Sequence, residues 1–132
     1  MDIKNMPEYM KDAYVEDILK FEKRSVELPL LCQKAIALFG TEIQRIIAME
    51  ELSELIVEIS KEIRGTGNRS NLIEEIVDVD IMMVQLKEML FNEGHLTEYL
   101  NTFHKKVDRL EEIMENKEDE LTKEVFKELF FK

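Results

Sequence analysis

The sequence predicts an all-α protein built as an antiparallel helical bundle. Three observations carry that expectation. Four glycines and two prolines in 132 residues are too few to punctuate the many short strands of an all-β chain. Apolar residues recur at intervals of three and four along most of the chain, the period of a helix with one buried face. The few breakers fall between those periodic runs, where helix stop and start signals belong.

Met6, Met10, Tyr14, Ile18 and Phe21 share a narrow arc, which predicts an amphipathic helix near residues 6–24 with Pro7 tolerated in its first turn. Pro29 restarts the chain, and a second helix over 29–39 carries Leu30, Leu31, Ala35, Leu38 and Phe39 to Gly40, a residue suited to ending it. Thr41 and Gln44 have the spacing of a capping box and open a helix over 41–64. The run Gly65-Thr66-Gly67-Asn68-Arg69-Ser70 breaks it, and Asn71 with Glu74 offers a second capping box for a helix over 72–93. That helix has Leu72, Val79, Met83, Leu86 and Leu90 on one face and stops at Gly94. Thr97 caps a helix over 97–115 whose stripe is Leu96, Leu100, Phe103, Val107, Leu110 and Met114. The polar run 115–120 is expected to interrupt it before a short terminal helix around Leu121, Val125 and Leu129.

One domain is the expectation for this length, and 45% hydrophobic residues are enough for a core without metal or disulfide staples. A net charge of −11 has the wrong sign for a phosphate backbone or an anionic membrane surface. Nucleic acid and membrane are therefore excluded as first partners. Cys32 stands alone, so there is no intramolecular disulfide and no cysteine-based zinc site. With no apolar signal core near Met1 and no run of about 18 apolar residues, the expectation is a cytoplasmic protein.

Most of the 29 acidic residues read as solvated helix faces, but some sit in unusual positions. At about 100° per residue, Glu51, Glu54 and Glu58 border the apolar face of their helix. On the next helix Glu75 and Asp78 bracket Met82 inside the core stripe itself. Carboxylates facing a core cost several kcal/mol unless they are paired or bound to a cation. An antiparallel hairpin presenting two carboxylates from each helix would gather oxygen donors for a hard divalent ion, Mg²⁺ or Mn²⁺, with positions left for water and phosphate oxygens. The spacing leaves two readings open, a metal-assisted phosphate site or solvated acids with one interhelical ion pair.

The segments Ala48-Met49-Glu50-Glu51-Leu52-Ser53-Glu54-Leu55 and Glu74-Glu75-Ile76-Val77-Asp78-Val79-Asp80-Ile81-Met82 together resemble the MazG-like, all-α nucleoside triphosphate pyrophosphohydrolase family. Its signature is E-E-x-x-E on one helix and E-x-x-D on the next. Phe39-Gly40 with Gln44, the Arg64-Gly65 helix end and Lys106-Val107-Asp108-Arg109-Leu110 look like the small stand-alone members of phages and Firmicutes. The resemblance covers about residues 28 to 114. The first 25 residues and the terminal helix lie outside it, so the expected organisation is an amphipathic helical extension over 1–27, a catalytic helical domain over 28–116, and a short helix over 117–132 as an oligomer contact.

The resemblance implies a Mg²⁺-dependent enzyme, with Mn²⁺ as a substitute, that cleaves a nucleoside triphosphate between its α and β phosphates. Glu51, Glu54, Glu75 and Asp78 would be the metal ligands, and Glu50 would orient the attacking water or a ligand. Lys106 is the first candidate for holding the phosphates, with Asn101 and Arg109 behind it and Lys61, Arg64 and Arg69 as alternatives. A homodimer or homotetramer is expected, since Phe126, Leu129, Phe130 and Phe131 join Leu121 and Val125 in more apolar surface than one face of a short helix can hide.

Other chemistries fit less well. A ferritin-like di-iron bundle needs Glu-x-x-His on two helices, and neither His95 nor His104 has an acid three residues before it. Gly65-Thr66-Gly67 follows a helix and lacks the Gly-Lys-Ser/Thr ending of a phosphate loop. An EF-hand fails because Ile81 and Met82 follow Asp80 where the loop glycine belongs, and Cys32 beside Leu30 and Leu31 reads as a core thiol. The remaining alternatives are a non-catalytic helical interaction or regulatory module, and a dUTP or phosphoribosyl-ATP hydrolase of the same superfamily.

Overall fold

A computed structural model describes residues 3–131. After a 3-10 turn at Ile3–Asn5 come four helices, α1 (Glu8–Phe39), α2 (Thr41–Ile63), α3 (Arg69–Asn92) and α4 (Leu96–Phe130). There is no strand among the described residues, so the all-α expectation holds. No described helix is long and apolar enough to cross a membrane. The chain falls into two compact units that divide between Asn92 and Glu93.

In the first unit α3 packs against both α2 and α1, and α1 also touches α2. The α2 and α3 helices run antiparallel, joined by a loop at residues 64–68. Asn68 caps α3, its Oδ1 accepting from the Ser70 and Asn71 amides at 2.9 and 3.3 Å. The expected capping box at Asn71 is therefore displaced by three residues, and α3 begins at Arg69. Gly67 sits close against α2 in this loop, where a Cβ would lie 3.1 Å from the Glu62 Cα and side-chain carbons. At the other end of α2 the N-cap is Gly40 and not the expected Thr41, which is the first helical residue, and there is no side-chain capping bond. Gly40 does the work instead: at φ 89° and ψ 153°, a conformation that only glycine adopts readily, its amide closes α1 on the Ile36 carbonyl. Its own carbonyl accepts from the Gln44 amide to start α2.

The predicted break before Pro29 does not occur, and α1 runs through the proline as one helix of 32 residues. A mid-helix proline removes one backbone bond at a cost of about 3 kcal/mol, so packing on both sides of it must keep the helix continuous. Phe21, Leu28 and Leu31 line a cleft with Val77, Ile81 and Val84 of α3. Beyond the proline, Gln33 Nε2 donates to Glu88 Oε2 at 2.6 Å and Asn92 Oδ1 at 3.0 Å, and Asn92 Nδ2 returns a bond to Gln33 Oε1 at 2.9 Å. These contacts run α1 parallel to α3. Cys32, buried as a core thiol, joins Ala48, Val79, Met82 and Met89 in the buried core. Burial raises the Cys32 thiol pKa, and Glu88 adds to the rise.

The second unit is α4, a single helix of 35 residues. The predicted interruption at 115–120 is absent, because Glu115, Lys117, Glu118 and Glu120 are good helix formers and nothing among them breaks the backbone pattern. None of its residues is buried.

Candidate carboxylate site between α2 and α3

One oxygen each from Glu51, Glu54 and Glu75 lies within 4.8 Å of the others. The antiparallel pairing of α2 and α3 produces this convergence. Residues three apart on a helix share a face, so Glu51 and Glu54 on α2 meet Glu75 and Asp78 on α3 in reverse order. The carboxyl of Glu51 lies beside that of Asp78, and the carboxyl of Glu75 beside that of Glu54. Two ionised carboxylates have no hydrogen to share, so each close pair favours the protonated form of its glutamate. Asp78 joins the group through Glu51 and lies outside the tightest trio.

Glu51 and Glu75 both have raised pKa values. For Glu51 desolvation is the largest cause, followed by the charges of Asp78, Glu54 and Glu50. For Glu75 desolvation again leads, followed by the charge of Glu54 and the bond to it, then by Asp78 and Glu51. The geometry explains the desolvation: Glu51 Oε2 and Glu75 Oε2 are buried and have no hydrogen-bond partner. Glu54 is exposed, so the cluster opens to solvent on the α2 side. Its donors are all carboxylate oxygens, some without partners and crowded by like charge, a set that fits a hard divalent cation.

Glu50 is exposed and contributes to this group through its charge on Glu51. Among the alternative cations near the loop, Lys61 pairs with Glu58 at 3.1 Å, and Arg69 lies 3.7 Å from Glu62. Arg64 is the C-cap of α2. Asn101, Lys106 and Arg109 are exposed on α4, in the second unit.

Glu58 was not among the predicted site residues, yet it lines the same cleft as Ser53, Glu54, Val57 and Glu75. It is buried, and its Oε2 has no partner. Its signal in the sequence is spacing, because Gln44, Glu51 and Glu58 follow one another at intervals of seven on α2. With Gln44 also buried, they form a polar line along an inner face.

No family model, curated protein or solved structure matches the chain.

Proposed function

We propose that this protein is a Mg²⁺- or Mn²⁺-dependent nucleoside triphosphate pyrophosphohydrolase of the MazG-like type, yielding a nucleoside monophosphate and pyrophosphate. One observation carries the reading. Acids that complete E-E-x-x-E and E-x-x-D in the sequence gather between α2 and α3, with Glu51, Glu54 and Glu75 around one point and Asp78 close enough to Glu51 to raise its pKa. An acid cluster serving only as solvated surface has no need to bury the unpartnered oxygens of Glu51 and Glu75.

In this reading Glu51, Glu54, Glu75 and Asp78 hold the cation in their ionised forms. Bound there, the ion would neutralise charge on the phosphate chain and make a water more acidic. Glu50, exposed beside Glu51, orients that water. The exposed side of the cluster at Glu54 is where phosphate oxygens would approach. We further propose a cytoplasmic homodimer or homotetramer.

The test is product identity. Purified protein incubated with a panel of nucleoside triphosphates and Mg²⁺ should give monophosphate and pyrophosphate by ³¹P NMR, with no turnover in chelator. Release of orthophosphate alone, or full activity in Asp78→Asn, would refute the assignment.

A further inference from the structure

The helix α4 cannot form a core by itself, yet its apolar residues make a continuous seam. From Leu96 to Leu121 the positions 96, 100, 103, 107, 110, 114, 117 and 121 alternate steps of four and three, the heptad spacing of a coiled coil carried through more than three heptads. Every position but Lys117 is apolar. Leu96, Phe103, Leu110 and Met114 are each about half exposed, at 48, 52, 55 and 54%.

We propose that α4 pairs antiparallel with α4 of a second copy of this chain, along the seam from Leu96 to Leu121. The spacing selects a helix as the occupant, and charge selects the direction. Residues 96–109 carry three basic and two acidic side chains, whereas 110–130 carry three basic and eight acidic, a net +1 against −5. An antiparallel pair sets the weakly basic half of each helix beside the acidic half of the other. A parallel pair would align two acidic halves and place Lys117 against the partner's Lys117.

In the antiparallel register Val107 faces the partner's Leu110, Phe103 the partner's Met114, and Leu96 the partner's Leu121. Lys117 meets the partner's Leu100, where its stem covers apolar surface and its ammonium reaches water. Covering the exposed part of seven apolar side chains on each helix removes on the order of 1,300 Å², within the range of roughly 1,200–2,000 Å² for stable interfaces.

The proposal uses none of the acids between α2 and α3, so Asp78→Asn should leave association unchanged whatever happens to activity. Sedimentation of the full chain at about 20 µM should show a dimer, or a tetramer built from it. Leu110→Glu places a charge at the centre of the seam and should weaken α4 pairing at least a hundredfold, with helical content by circular dichroism retained. A spin label at Glu98→Cys in a Cys32→Ala background should report a separation of about 30 Å, because 21 helical residues at about 1.5 Å each lie between Glu98 and the level of its copy. A distance under about 20 Å would show a parallel pair and overturn the proposal. It is overturned equally by undiminished association in Leu110→Glu, or by a monomeric wild type, including one whose Leu110→Glu variant melts lower because the stripe docks on its own chain.

Discussion

The α2–α3 pair and α4 handle nearly the same composition in opposite ways. The pair carries 11 acidic residues in its 47 positions and α4 carries ten in 35, so acid content does not separate them. Position does. Between Leu96 and Leu121 no acid enters the apolar seam of α4, and each can stay hydrated at little cost. In α2 and α3 the acids interrupt the packed face, where Glu58 is buried and Glu51, Glu75 and Asp78 are half-buried. A carboxylate so placed loses solvation and must find a proton, a cation or a partner. The contrast makes α4 an internal control for the carboxylate site.

The largest expected effect is on turnover. Asp78→Asn or Glu51→Gln keeps side-chain shape and removes a ligand charge, so each should lower kcat/KM by at least about a hundredfold. Changing Glu112→Gln on the outer face of α4 should leave it unchanged. Equal losses in both regions would erase the distinction between them.

Next in size is the response to divalent cations. An ion that binds the folded state and not the unfolded chain stabilises by about 2.7 kcal/mol at a hundredfold excess over Kd, which raises Tm by several degrees. Millimolar Mg²⁺ or Mn²⁺ should produce that shift by calorimetry, while NaCl at matched ionic strength produces much less. The shift should vanish in Glu54→Gln and Asp78→Asn and persist in Glu112→Gln.

The pH dependence sharpens the comparison further. The folded-state pKa values of Glu51 and Glu75 lie above the ordinary glutamate value of 4.5. As pH rises from about 4.5 towards those raised values, the folded state binds more protons than the unfolded chain. Its stability in chelator therefore falls across that window through these two groups. Saturating Mg²⁺ should offset the loss, because deprotonated ligands bind the ion better. Comparing wild type with Glu51→Gln/Glu75→Gln isolates the contribution: the double variant should show a flatter decline of Tm with rising pH. An identical slope would remove the proton-holding role from the site.

Much of this was legible before any coordinates. The 3.6-residue period gives the helices, and the wheel positions of Glu51, Glu54, Glu75 and Asp78 bring them to one face once α2 and α3 are antiparallel. Local propensity at Pro29 favours a break, whereas Leu28, Leu31 and Gln33 hold α1 to α3 around it. The run at 115–120 misled because polar residues without an apolar stripe look like a loop, although they favour a helix. The position of Glu58 was visible at seven-residue spacing, but its burial depends on how closely α3 approaches. Whether an oxygen lacks a partner is a property of packing that periodicity does not report.

The smallest expected effect is the most direct comparison of the two regions. Glu54 contributes the leading charge acting on Glu75, and its charge also acts on Glu51. In chelator, Glu54→Gln removes that repulsion while keeping the shape of the side chain. Because Glu54 itself is exposed, solvent screening keeps the gain small. The variant should therefore melt slightly higher than wild type without metal and lower than wild type with it. Glu112→Gln on α4 relieves no comparable crowding and should stay within about 0.5 kcal/mol in either condition. The crossing of the Glu54→Gln and wild-type curves on adding Mg²⁺ is the decisive readout, since a general change in surface charge would shift both conditions in the same direction. Parallel curves, or a crossing that Glu112→Gln reproduces, would mean that the acids between α2 and α3 behave as ordinary helix surface.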